Sequence, residues 1–145
     1  MTVTVRAATR EDIPVLCALE NECFSLPWSA DAFKDFFSNG VSHCLVAEVG
    51  GSVCGYVGMN LIHGEGEITN LAVTRDYRRY GVATALIERL CSTDGVCRIL
   101  LDVRESNTAA RRLYEKRGFS VDGIRKNFYS HPREDAVLMS REIQH

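Results

Sequence analysis

The sequence predicts one mixed α/β (α+β) domain. Its sheet is mostly antiparallel, of about seven strands, with helices on both faces and a splay between two parallel central strands. Three observations predict it. Gly50-Gly51 separates two apolar runs, a hairpin signal. The strand pattern at 66–73 runs through a glycine-bearing turn into a helical run, which makes the apolar run at 96–103 its parallel neighbour. A chain of 145 residues, 46% hydrophobic and 25% charged, fits a single soluble domain over 1–145.

Residues 3–8 read as a first strand. Thr9 and Asp12 are placed to cap a helix over 13–23, with Ile13, Leu16, Cys17 and Leu19 on one face. Pro27-Trp28-Ser29 breaks it, and Ser29 caps a second helix over 30–37 with Phe33, Phe36 and Phe37 on its apolar side. Asn39-Gly40 closes that helix. Strands follow at 43–49, 52–59 and 66–73, the last turning back through His63-Gly64-Glu65. A helix over 82–91 leads to a buried β-branched strand at 96–103. Ser106-Asn107 caps a helix over 108–117 that Gly118 ends. A strand starting at 119–121 pairs with 134–142 across a polar loop at 125–133.

The net charge is −2 and like charges do not cluster, so direct nucleic-acid or membrane binding gains no support. No stretch approaches the roughly 20 apolar residues of a membrane span. Residues 1–6 lack the long apolar core of a signal peptide. The six cysteines form no C-x-x-C pair, which argues against structural zinc and a disulfide scaffold and for reduced, mostly buried thiols in a cytoplasmic protein. The four histidines share no ligand spacing, so no metal is expected.

The informative stretch runs from Ile68 to Leu90. A strand delivers Arg78-Arg79-Tyr80-Gly81-Val82-Ala83, an R-x-x-G-x-A turn opening directly into a helix. Backbone donors at a helix N-terminus make an anion site. Gly81 and Ala83 let a phosphate approach the backbone, and Arg78 and Arg79 add permanent charge. Nucleotide loops of the G-x-x-x-x-G-K-[ST] and G-x-G-x-x-G types are absent, and no acidic pair for Mg²⁺ stands near the turn. Two parallel strands that splay expose unpaired backbone groups. A ligand bearing both amides and a diphosphate, as coenzyme A does, fits such an edge better than a nucleoside triphosphate.

The element order, this turn, and the later Asn107 with Leu113-Tyr114-Glu115-Lys116-Arg117-Gly118-Phe119 resemble the GNAT acetyltransferases. The likeness spans nearly the whole chain. Cys23-Phe24-Ser25-Leu26-Pro27-Trp28-Ser29, Glu65 to Val73, Leu101 to Asn107, Arg125-Lys126-Asn127-Phe128-Tyr129 and Glu134-Asp135-Ala136 resemble the branch that acetylates the N-terminal alanine of a small-subunit ribosomal protein. The resemblance implies acetyl-CoA as donor, a ribosomal protein N-terminus as acceptor, and a monomer or weak dimer. It implies that the main chain of Leu71, Ala72 and Val73 pairs with pantetheine, with a Val73 N–H for the developing oxyanion. Arg78, Arg79, Gly81, Val82, Ala83 and Thr84 would hold the pyrophosphate. Asn107 would face the pantetheine, or simply cap its helix.

By the same resemblance Tyr114 is the general acid, its alternative being an aromatic packed on the sheet. Asp102 is the candidate base, standing where the family usually has glutamate, one methylene longer. A water bridges that gap, or Glu67 serves instead. Asp102 could otherwise pair with Arg104. Trp28 and Pro27 are expected to order a loop over the acceptor groove, and Tyr129 to line the peptide path. An α-ammonium, with a pKa of about 7.7–8.0, asks little of a base, whereas a lysine at about 10.4 asks more. Acetylation of lysine or a small amine is thus the second enzymatic reading. A non-catalytic acyl-CoA-binding module is the reading outside enzymes. Cys91 and Cys97 have no base beside them in sequence, which disfavours a covalent acyl-enzyme.

Overall fold

The computed structural model describes residues 2–144. Seven strands form one sheet in the order β1-β2-β3-β4-β5-β7-β6. They are β1 (Val3–Ala7), β2 (Ser42–Val49), β3 (Ser52–Ile62), β4 (Glu65–Val73), β5 (Arg98–Arg104), β6 (Ser120–Ser130) and β7 (Arg133–Glu142). Helices α1 (Ile13–Cys23) and α2 (Ala30–Ser38) cover one face, and α3 (Val82–Cys91) and α4 (Thr108–Lys116) the other. Every neighbouring pair is antiparallel except β4 and β5. No helix among the described residues is long and apolar enough to cross a membrane.

Two cores follow from this layering. Leu86, Ile87 and Leu90 of α3 sit on Val57, Ile99 and Met139, while Leu16 and Leu19 of α1 join Phe33, Val46 and Tyr56 on the opposite face. Ser29 caps α2 as expected, its hydroxyl accepting the Ala32 N–H at 3.1 Å. The face of α1 differs from expectation at one position. Glu20, not Cys17, completes the buried row, at 1% exposure.

The residues before α1 form a short 3₁₀ turn, Arg10–Asp12. Asp12 does not cap α1; its carboxylate reaches back to the Thr9 N–H at 2.7 Å and takes both terminal nitrogens of Arg6 at 2.9 Å. Arg6 hydrogen bonds hold the Asp12 carboxyl below its ordinary value against the opposing effect of burial. A carboxyl depressed in the fold contributes stability above its unfolded pKa of about 3.9 and loses it as pH falls through the folded value. Asp12→Asn should therefore cost about 1–2 kcal/mol at neutral pH, with the difference from wild type shrinking below about pH 4 in urea titrations.

β4 and β5 are paired only at Glu65/Arg98, Gly66/Ile99 and Glu67/Leu100. Beyond that register they diverge, as the sequence predicts. The divergence coincides with a bulge in β4. Met59 faces Ile68 and Gly58 faces Asn70, which leaves Thr69 without a β3 partner. A bulge bends its strand and re-aims its side chains. Gly58 is required there, since a Cβ would lie 2.8 Å from Thr69 Oγ1 and 3.1 Å from the Phe36 ring.

One expected element is corrected. The region 125–133 is not a polar loop; β6 runs to Ser130 and β7 starts at Arg133, so the turn is His131-Pro132 alone. β6 is the sheet edge, and its side chains are exposed almost throughout, so burial imposes no alternation on it. Its register shifts between Arg125 and Tyr129, where Asn127 adopts φ 53° and donates its N–H to Asp135 at 2.8 Å.

Candidate active site

Two cavities lie along the splay and share Ala110 as a wall residue. The smaller, about 410 Å³, is built around the N-terminus of α3 and lined by Val73, Arg78, Arg79, Gly81, Val82, Ala83 and Thr84. Arg79 and Gly81 both take left-handed backbone, φ 73° and 77°. Gly81 is the N-cap residue of α3 and has no side chain to cap it, so the first N–H groups of the helix are left for an external anion. Arg78 folds back across β4, its Nε donating to the Val73 carbonyl at 3.0 Å and its guanidinium reaching Cys23 Sγ at 3.6 Å. The donors and charges present suit a pyrophosphate. The 71–73 main chain, past the last β5 partner, suits an extended amide chain. The residues therefore fit coenzyme A.

The larger cavity, about 540 Å³, opens beside the gap between the strands. Leu71 and Asn107 line it, while the Ala72 side chain is buried against α1 and α2. Asn107 caps α4 through its Oδ1, which accepts the Ala110 N–H at 3.2 Å, so the capping reading holds and the residue borders the cavity as well.

Asp102 and Tyr114 both line this cavity, from opposite faces of the sheet. Ile99, Leu101 and Val103 of β5 are buried on the α3–α4 side, which turns Asp102 to the α1–α2 side, where it is exposed. Tyr114 belongs to the α3–α4 core, at 6% exposure, with its ring 5.4 Å from Phe119. Burial pushes its hydroxyl above the ordinary tyrosine range, with the nearby Tyr129 adding to the shift. Only the gap between β4 and β5 brings the two together. Asp102 does not pair with Arg104, and its carboxylate has no hydrogen bond or ion pair among the described residues. It raises the Tyr129 hydroxyl, after burial, through its charge. Glu67, the rival, is exposed on the same face but outside the lining of the cavity.

The far wall is fixed by Arg104. Its guanidinium donates to Glu134 at 3.1 Å and to the carbonyls of Pro132 and His131 at 2.9 and 3.1 Å, and lies 4.3 Å from the Tyr129 ring centre. Glu134 in turn accepts the Ser106 N–H at 2.6 Å, and with Arg104 this holds its carboxyl below the ordinary range. Tyr129 thus lines the cavity as expected. Trp28 lines it from the other side, its ring 5.3 Å from both Phe33 and Phe36. Ser25 Oγ spans the opening to the His131 carbonyl at 3.4 Å.

Sequence reasoning did not single out Glu20. Its carboxylate also lines the cavity and accepts the Trp28 N–H at 2.8 Å, the Tyr56 hydroxyl and the Asn70 side-chain amide at 3.2 Å. Burial first, and then Glu20, push the Tyr56 hydroxyl far above its ordinary value. The signal was available: Glu20 lies four residues past Leu16, on the apolar side of α1, where a carboxylate is out of place unless it is satisfied.

A sheet splayed at its one parallel pair, with uncapped N–H groups at a helix start on its edge and with Asp102 and Tyr114 lining the gap, is the architecture of an N-acyltransferase. The chain belongs to the acetyltransferase (GNAT) family, whose model matches residues 13–119. A ribosomal protein bS18-alanine N-acetyltransferase (RimI) of Escherichia coli is 33% identical, with 97% of each chain covered. A Bacillus subtilis protein provisionally given the same activity is 36% identical over 93% of this chain and 92% of its own length. The crystal structure of the E. coli ribosomal-protein-S18-alanine N-acetyltransferase superposes with a TM-score of 0.90 at 30% identity, covering 99% of this chain and 96% of that one. That of Ard1 from Thermoplasma volcanium gives 0.89 at 25% identity, with both chains fully covered.

Proposed function

We propose that this protein transfers the acetyl group of acetyl-CoA to the N-terminal alanine amine of ribosomal protein bS18, in the cytoplasm, by direct attack within a ternary complex. The observation that supports this best is the gap between β4 and β5, entered by Asp102 from one face and Tyr114 from the other. The two relatives named for this activity are covered over 92% and 97% of their length.

Acetyl-CoA supplies an activated thioester. Arg78, Arg79, Gly81, Val82, Ala83 and Thr84 hold its pyrophosphate end, and the main chain of Leu71 to Val73 aligns the acyl arm. The Val73 N–H stabilises charge developing on the thioester oxygen. The acceptor amine enters from the α1–α2 face. Asp102, through one water, takes the proton it sheds as the N–C bond forms. Tyr114 gives a proton to the sulfur as the C–S bond breaks. Positioning supplies much of the rate, because both reactants are held before the chemistry begins.

Arg104 serves the acceptor side only, through Tyr129 and the His131-Pro132 turn. Arg104→Gln should raise the KM for peptide about tenfold and leave that for acetyl-CoA unchanged, as steady-state kinetics with each substrate varied will read.

The test of the reaction is transfer from acetyl-CoA to a short peptide copying the alanine-first bS18 N-terminus. Controls are the same peptide blocked at its α-amine, one offering only a lysine, and spermine. Product on the free α-amine alone supports the reading. Transfer to lysine or spermine instead removes the N-terminal assignment. Tight acetyl-CoA binding without any transfer indicates an acyl-CoA-binding module.

A further inference from the structure

Arg78 lines the smaller cavity, yet its guanidinium touches Cys23, which lines the larger one. It therefore lies across the passage between the two. The carbonyl it holds there is one that a donor arm needs. The Thr74 N–H donates to the Cys54 carbonyl at 2.8 Å, and Gly55 faces Val73 in the β3–β4 register. Bonds in an antiparallel ladder alternate, so the N–H and C=O of Val73 turn away from β3 and into the gap. β5 pairs with β4 only as far as Glu67, so no strand takes them up. A carbonyl has two lone pairs, and here Arg78 Nε takes one at 3.0 Å and the Cys23 thiol lies on the other at 3.6 Å. Glu22, anchored by the Thr74 hydroxyl and the Arg75 N–H at 2.8 and 2.7 Å, stands 4.0 Å from the guanidinium. The Arg78 side chain is 50% exposed, and a single neutral bond with a long ion pair is a weak hold on it. A phosphate, which meets arginine through charge-assisted bonds, is the stronger partner.

We propose that Arg78 selects the donor: it covers the Val73 carbonyl and gives it up to the acyl arm when a pyrophosphate draws the guanidinium to the start of α3. Thioesters of coenzyme A clear the edge with their own diphosphate. Thioesters of pantetheine alone must compete with Nε for the carbonyl. The assignment rests on the coenzyme A reading above, and it makes Arg78 a specificity-determining residue for the donor as well as a ligand of its charged end.

The test measures coupling in the wild-type protein, by equilibrium titration without turnover. Inorganic pyrophosphate should tighten the binding of pantetheine about fivefold, and saturating pantetheine should tighten that of pyrophosphate by the same factor. Arg78→Met keeps the apolar stem and removes the donor. In that variant the coupling should vanish. Pantetheine alone should bind about fivefold more tightly than to wild type, while CoA binds about tenfold more weakly. The two ligands thus move in opposite directions. A residue that only held pyrophosphate would leave pantetheine unchanged in the variant, and a structural residue would weaken both. Either result, or independent binding of pyrophosphate and pantetheine to wild type, would overturn the assignment and leave the coenzyme A reading standing. A wild type that binds neither CoA nor pyrophosphate would overturn both. Should Arg78→Met fail to fold, the wild-type coupling decides the matter together with the Arg78 Nε–H resonance. Pyrophosphate should move that signal as the bond to Val73 is lost, and an unmoved signal would overturn the proposal.

Discussion

Replacing Tyr114 by phenylalanine should cut turnover about a hundredfold, leave acetyl-CoA affinity where it was, and cost no thermal stability. Each part has a separate cause. The hydroxyl has no hydrogen-bond partner among the described residues, and it is not one of their sealed, unsatisfied polar atoms, so its removal breaks no contact and costs no packing. The ring packs edgewise on Phe119, and phenylalanine keeps that contact. What is lost is the proton donor. Burial raises the hydroxyl's pKa, so Tyr114 stays protonated throughout a working pH range and can act only as an acid. A hundredfold is the low end for general acid catalysis, which suits a thiolate, a leaving group that departs tolerably well without help. Stopped-flow measurement of CoA release, beside acetyl-CoA titration and a melting curve, checks all three. Unchanged turnover assigns proton delivery to another group, and a lower melting point would make Tyr114 structural.

The turn that opens α3 was legible in the sequence because it is local. Arg78 to Thr84 are consecutive, and the helix they open runs over the predicted 82–91. The β2–β3 hairpin was equally local, set by Gly50 and Gly51 at φ 59° and 83°. The wall of the larger cavity was only partly legible. Asp102 and Tyr129 were found from motifs, yet the Glu20 network joins residues 20, 28, 56 and 70 from four segments, and no local pattern announces it. The bulge at Thr69 adds one residue to a strand whose period of two otherwise reads cleanly, which hides the turn of Asn70 towards α1. β6 escaped for a different reason. With one neighbour and exposed side chains on both faces, it carries no alternation to read, and its polar stretch looks like a loop.

Asp102→Asn should lower kcat/KM for the peptide about a hundredfold near pH 6, and the deficit should shrink as the pH rises to about 8. The second half of that expectation is what separates a base from a structural carboxylate. Asp102 is exposed and binds no described residue, so an isosteric amide leaves the fold and both cavities as they are. Wild type can use an acceptor that is still an ammonium, because the carboxylate takes the surplus proton. The variant must wait for amine already deprotonated in solution, and that fraction grows tenfold per pH unit until the amine's own pKa of about 7.7–8.0 is passed. The two pH–rate curves should therefore converge from below. Asp102→Glu adds the methylene that spans the distance now left to water, and should retain at least wild-type activity. Glu67, on the same face but outside the cavity lining, should tolerate replacement by glutamine with little loss. A Glu67→Gln variant that loses the low-pH activity while Asp102→Asn keeps it would move the base from β5 to β4, and with it the direction from which the amine meets the thioester.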